Sequence, residues 1–376
     1  MNAFTLLFLV FLASWAGMSL WLSWRQERHV TQHRQRVPAE FASRISVEEH
    51  ARAADYTIAR TRFGRLELIT ALLLLLIWTI GGGLDAIDRY LSVLGLSGLL
   101  TGIAVIATVF LVAAIIDIPA ALYRTFVIEE RFGFNRSTAA TFWMDRVKGV
   151  TLAVLLGLPL LLLLLWFMEA AGSAWWLYAW VAVSLFSIAL NWAFPKFIAP
   201  LFNSFEVLEQ GEVAQRLQAL LRRTGFRSDG IYVMDGSRRS SHGNAYFTGF
   251  GKTKRIVFFD TLLKQLTPEQ VEAVLAHELG HFKRRHVLKG MLLSLAMSFL
   301  GFALLAWLMQ QPWFYAGLGV SEPSGYMALL LFVIVAPVFT FFMGPLLAWY
   351  SRRHEFEADA FAAEYADARS LVTALV

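Results

Sequence analysis

Long apolar runs, broken by short polar stretches, set the organisation of this chain. Seven intervals contain no Asp, Glu, Lys, Arg or His and are long enough to cross a bilayer: residues 1–24, 68–84, 90–116, 149–168, 170–195, 290–321 and 323–351. A spanning helix takes about 17 to 25 apolar residues, so the pattern predicts seven spans. The first interval has no basic start and stays uncharged for 24 residues. A signal-peptide core runs to roughly 7 to 15, and the interval is therefore read as a retained helix.

Two segments between the runs are long enough to fold outside the apolar phase, residues 25–66 and 197–289. In the second the period changes. Residues 207–224, VLEQGEVAQRLQALLRRT, place Val213, Leu217, Leu220 and Leu221 at helical spacing and predict an amphipathic helix. IYVMD (231–235), NAYFTGF (244–250) and RIVFFD (255–260) are rich in β-branched and aromatic residues, and GKTK separates the last two as a hairpin turn would. A small antiparallel sheet is expected. TPEQVEAVLAHELGHF then opens a helix, with Thr267 as N-cap, Pro268 at the first helical position and Gln270 completing a capping box. No internal repeat is visible, and the only low-complexity tracts are leucine runs within the spans.

Charge orients this pattern. Lys and Arg crowd alternate connections: nine arginines from Arg25 to Arg65, then Arg124, Arg131, Arg136, Arg146 and Lys148, then the basic segment between spans five and six, and finally Arg352 and Arg353. The intervening connections hold only Arg89. Basic connections face the cytoplasm, which places the N-terminus outside and the C-terminus inside. The chain divides into residues 1–196, spans one to five with cytoplasmic loops 25–66 and 124–148; residues 197–289, a cytoplasmic domain; residues 290–351, spans six and seven; and residues 352–376, a cytoplasmic helix.

Composition adds little that this pattern does not contain. Residues are 57% hydrophobic and 16% charged, against about 25% charged in soluble proteins. The net charge of +5 and pI near 9.5 are accounted for by the cytoplasmic bias, so no nucleic-acid partner is implied. Cysteine is absent, which excludes disulfides, thiolate ligands and thiol nucleophiles.

The chemistry lies in AVLAHELGHFKRRH. Positions four apart on a helix differ by about 40° around its axis, so His277 and His281 share a face and can hold one metal ion, with Glu278 beside them. Zn2+ suits two neutral imidazoles and one carboxylate, with a fourth position for water. Lowering the pKa of that water toward about 7 prepares it for attack, and Glu278 can take its proton and pass it to the leaving amine. The third ligand should come from SRRHEFEADAFAAEYADA, where span seven returns to the face that span six left. Glu355 is assigned as that ligand. Asp359, one turn later, is assigned as the carboxylate that orients a ligating imidazole through its other ring nitrogen. Glu357 points away from that face and is expected in solvent. His286 and His354 lie off the required faces and are read as solvated or helix-end residues. His242 is read as a turn residue, and Asp117 as a carboxylate near the cytoplasmic end of span three.

With these residues in place, the sequence resembles the integral-membrane zinc CAAX prenyl endopeptidases, the family of the yeast a-factor-processing and human prelamin-processing enzymes. The resemblance rests on TFVIEERFGFNRST (125–138), FIAPLFNSFEVLEQGE (197–212), HGNAYFTGFGKTKRIVFFDTLL (242–263) and the two motifs AHELGHFKRRH and RRHEFEADAFA. It implies a mainly α fold: a seven-transmembrane-helix barrel around a water-filled chamber, with a cytoplasmic α+β zincin-like metalloprotease domain. It implies Zn2+ on His277, His281 and Glu355, Glu278 as base, and a strand at Asn244, Ala245 and Tyr246 that pairs with extended substrate. The implied protein is a monomeric bacterial homologue in the plasma membrane, its active site facing the cytoplasm. It would cut peptide or protein substrates, prenylated in eukaryotic members, near their C-termini. Family members continue into a further helix whose histidine and arginine face the metal; the sequence here ends at Val376, and no oxyanion-stabilising residue is assigned.

Three alternatives share parts of the pattern. A heat-shock-type quality-control protease has both motifs, but with about four spans. A site-two protease embeds its His-Glu-x-x-His within a span, whereas here a capped amphipathic helix carries it. A non-catalytic chamber or transporter with structural zinc leaves Glu278 without a role.

Overall fold

The computed structural model describes residues 2–39, 41–226, 228–248 and 255–374. Helices dominate. In chain order they include α1 (Ala3–His33), α2 (Val47–Trp78), α3 (Gly83–Ser92), α4 (Gly98–Phe132), α5 (Ala139–Ala170), α6 (Gly172–Phe202), α7 (Glu212–Arg223), α8 (Pro268–Lys283), α9 (His286–Leu308), α10 (Gly325–Thr340) and α11 (Gly344–Tyr365). Among the described residues α1, α4, α5, α6, α9 and the run of α10 with α11 are each long and apolar enough to cross a membrane. The pair α2 and α3, bent by 50°, passes the same test only when taken together, which gives six crossings or seven. Each apolar interval of the sequence has most of its length in one of these; the interval 90–116 begins in α3 before α4 opens at Gly98, and the interval 290–321 continues past the end of α9 at Leu308.

The residues separate into two bodies. The first comprises Met1–Ile128, Val150–Val183 and Met297–Gly344. Phe8, Leu84, Val105, Leu305, Phe314 and Leu331 are buried in it. Its outward side chains are also apolar, with Leu155 at 63% and Leu100 at 51% exposure, as expected where hydrocarbon replaces water as the solvent. Buried polar side chains in it find partners at two places, as burial favours: Tyr326 Oη donates to Asp88 Oδ1 at 2.7 Å, and Thr5 Oγ1 donates to the Gly317 carbonyl at 2.9 Å.

The second body comprises Glu129–Gly149, Ser184–Ala296 and Pro345–Val376. Its sheet contains β1 (Phe205–Val207), β2 (Ile231–Met234), β3 (Ala245–Thr248) and β4 (Arg255–Phe259), in the order β1-β2-β4-β3. β3 and β4 pair antiparallel, Ala245 opposite Phe258, but β2 and β4 run parallel, Ile231 opposite Ile256. The sheet is therefore mixed rather than antiparallel, and it gains β1, which pairs antiparallel with β2. Ile256, Val257 and Phe258 are all buried, as in a strand covered on both faces. The GKTK turn lies outside the described residues.

Helix α7 starts at Glu212, five residues after the expected start. Phe205–Val207 joins the sheet, and Gly211 takes φ 98°, a left-handed conformation that suits glycine. Its buried face is Ala214, Leu217, Leu220 and Leu221. With Phe258, Leu275, Leu279 and Phe361 these form a core of the water-soluble type under the sheet.

Candidate metal centre

Helix α8 begins as its sequence dictates. The Thr267 hydroxyl accepts from Gln270 N, and Gln270 Oε1 accepts from Thr267 N at 2.8 Å, a complete capping box ahead of Pro268. Val271, Leu275, Ala276 and Leu279 turn into the core, and the 3.6-residue period leaves His277, Glu278 and His281 on the remaining side. Gly280 allows the close approach of α11: a Cβ added there would lie 2.8 Å from Ala358 Cα. Ala358 is itself fully buried, and it stands between Glu355 and Asp359 in sequence, so this contact sets both carboxylates against the two histidines.

The three candidate ligand atoms converge. His277 Nε2 and His281 Nε2 are 3.1 Å apart, and Glu355 Oε2 lies 3.4 Å from the first and 3.5 Å from the second. Tetrahedral zinc with bonds near 2.0–2.1 Å spaces its ligands about 3.3 Å apart, so the donor set fits such an ion in both identity and spacing. This is the only group of three or more such side chains brought within metal-binding reach among the described residues. Asp359 Oδ1 accepts from His277 Nδ1 at 2.8 Å, which leaves His277 Nε2 as the lone-pair nitrogen.

Electrostatics favour the same use. Burial lowers the pKa of His281 against the opposing pull of the Glu355 carboxylate, holding the imidazole neutral as a ligand requires. Burial raises the Glu278 carboxyl, with the Glu355 charge adding to the effect and His277 opposing it. Glu278 makes no hydrogen bond among the described residues, so its oxygens are free for a water or a substrate.

His286 opens α9, the helix-end place that was one of its two expected roles, but it is not solvated: its side chain is 5% exposed, its Nδ1 stands 3.0 Å from His281 Nδ1, and its Nε2 is 3.1 Å from Glu357 Oε2. Glu357, expected in solvent, takes this contact together with one from Arg353 Nε at 3.3 Å. The cause is the corner between α8 and α9, where Arg285 takes φ 56°. A left-handed residue breaks the helical progression on which the face assignment relied. The ring of His354 stacks on His286 at 3.9 Å, so this histidine too is engaged.

His242 lies in the loop before β3, half exposed, stacked on Phe134 at 4.3 Å and 3.6 Å from Glu129 Oε2. Asp117 belongs to the other body, exposed, and lines a cavity of about 420 Å3 with Glu67. Of the strand residues, Ala245 and Tyr246 are in β3, and Asn244 precedes it and accepts from Phe259 N at 2.9 Å. β3 is an edge strand: among the described residues it pairs with β4 alone.

Comparison with known proteins follows the same division of the sequence. Residues 26–204 match the family profile "CAAX prenyl protease N-terminal, five membrane helices", and residues 207–376 match "Peptidase family M48". The CAAX prenyl protease 1 homolog of Arabidopsis thaliana is 32% identical over 358 residues, 90% of this chain and 82% of that protein. The Homo sapiens homolog is 34% identical over 310 residues, 72% of this chain and 65% of that protein, so the chain spans slightly less than two thirds of the human relative. The crystal structure of S. mikatae Ste24p superposes with a TM-score of 0.91 at 29% identity, covering 100% of this chain and 91% of that one. With both profiles matched in order and the plant relative covered over most of its length, the chain belongs to the CAAX prenyl proteases of peptidase family M48.

Proposed function

We propose that the protein is a membrane zinc endopeptidase that cuts peptide or protein substrates near their C-termini, prenylated ones among them, from the cytoplasmic side. The observation that carries this reading is the convergence of His277, His281 and Glu355 beside Glu278, which is partly buried and makes no hydrogen bond among the described residues. The names of the relatives, CAAX prenyl protease 1 homologs, support the substrate class. The match to a five-helix membrane profile favours this branch over the heat-shock type.

In this reading His277 Nε2, His281 Nε2 and Glu355 hold Zn2+, which when bound supplies Lewis acidity at the scissile carbonyl and toward water. Asp359 keeps His277 in the tautomer whose Nε2 is bare. Glu278 takes a proton from the attacking water on its carboxylate and returns it to the nitrogen of the departing amine; its raised pKa makes it a better proton acceptor. The open edge of β3, with Asn244, Ala245 and Tyr246, offers backbone groups to an extended substrate. Residues 197–289 form the zincin-like protease domain, completed by residues 352–376, while 1–196 and 290–351 carry the membrane helices.

The test is Glu278→Gln in the full chain, assayed on a panel of prenylated and unprenylated C-terminal peptides with chelation as control. Zinc stays bound at one per chain and cleavage falls by about 10²- to 10⁴-fold. Unchanged cleavage by the variant, or wild-type cleavage that survives chelation, overturns the proposal.

A further inference from the structure

The two histidines of the motif are supported differently. His277 Nδ1 meets a carboxylate directly, at Asp359. His281 Nδ1 meets another imidazole, His286 Nδ1, at 3.0 Å, and the far nitrogen of His286 meets Glu357 at 3.1 Å. Two Nδ1 atoms at that distance share one proton, so one ring donates and the other accepts. Each direction has a definite consequence. If His286 donated, His281 would accept on Nδ1 and carry its proton on Nε2, which blocks the nitrogen that faces His277 and Glu355. If His281 donates, its Nε2 is bare, and His286 must keep its own proton on Nε2, facing Glu357. An ionised carboxylate only accepts, so Glu357 selects the second arrangement.

We propose that His286 and Glu357 are positioning residues for His281: Glu357 fixes the tautomer of His286, and His286 in turn fixes His281 with its Nε2 lone pair toward the metal. The inference rests on the zinc reading above. The surroundings suit the role. His286 is buried, with no solvent at hand to exchange its partners, and His354 stacks on its ring at 3.9 Å with the planes 9° apart, holding the orientation that both hydrogen bonds need. Outer partners of metal-bound histidines change metal affinity by about 10- to 100-fold when removed.

The experiment measures zinc affinity, by chelator competition, on the full chain in detergent, together with the visible spectrum of the Co2+-substituted protein. His286→Phe keeps the ring, its volume and the stacking on His354, but removes both hydrogen bonds; zinc binding weakens about 10- to 100-fold and the Co2+ bands shift. His286→Gln restores an acceptor and a donor on one planar group and recovers most of that loss. Glu357→Ala, at a partly exposed position where folding is not at stake, weakens binding in the same direction by about tenfold. A purely structural His286 gives the opposite ranking, with Phe close to wild type and Gln impaired. Wild-type affinity in both His286→Phe and Glu357→Ala overturns this inference alone, whereas wild-type protein that takes up no zinc overturns the zinc reading and this inference with it.

Discussion

Helices α8 and α11 build one site in different ways. On α8 the functional residues follow from the helix's own period, and three side chains within five positions face one way. On α11 the useful carboxylates diverge: Glu355 and Asp359 face the histidines of α8, whereas Glu357, two residues from Glu355, reaches His286. Spacing along one helix is thus sufficient where all partners stand on that helix. It fails where a partner arrives around a corner.

The widest test of this contrast removes a ligand from each helix. Glu355→Ala and His281→Ala are each expected to abolish stoichiometric zinc and cleavage together; retention of tight zinc by either would make the two helices unequal. Next comes Gly280→Ala. The added Cβ meets backbone at Ala358 rather than the end of a flexible side chain, and overpacking of this kind costs about 1–3 kcal/mol. A lower Tm of the metal-free protein and weaker zinc binding are expected together, and an unchanged Tm would show that the helices can part at no cost. Asp359→Asn follows, with zinc affinity reduced about 10- to 100-fold by competition titration and little change in Tm. An unaltered affinity would remove the carboxylate from the support of His277.

The smallest effect is pH-dependent. Because burial raises the folded-state pKa of Glu278, the favourable, protonated form holds below the unfolded value and its stabilising contribution is lost as pH rises through the folded one. In metal-stripped protein, Glu278→Gln should therefore unfold at the same temperature as wild type below about pH 4.5 and at a higher temperature near neutrality. Equal melting at both pH values would deny the burial effect.

Sequence reading recovered what is local. The capping box at Thr267, the shared face of His277 and His281, the apolar intervals and the pairing of β3 with β4 each follow from residues within one turn, one span or one hairpin. Glu355 and Asp359 were legible because a second acidic motif follows the last apolar run at once. β1 was missed because three residues, Phe205–Val207, carry too little pattern to mark a strand. The parallel pairing of β2 with β4 depends on which edge of β4 is left after β3 has taken the other. The burial of His286 at its helix end was not legible because a left-handed Arg285 has no signature in a non-glycine residue, and the contact that draws Glu357 out of solvent was missed with it.

Gly280 gives the motif a second kind of grammar. His277, Glu278 and His281 are fixed by what they do, and the spacer between them is normally written as free. Here one spacer position is fixed by size, because its partner is the backbone at Ala358. No substitution at 358 removes that Cα and carbonyl oxygen, so a larger residue at 280 is accommodated only by parting the two helices. A sequence with His-Glu-x-x-His but bulk at 280 would present the same letters without a site able to close in this way.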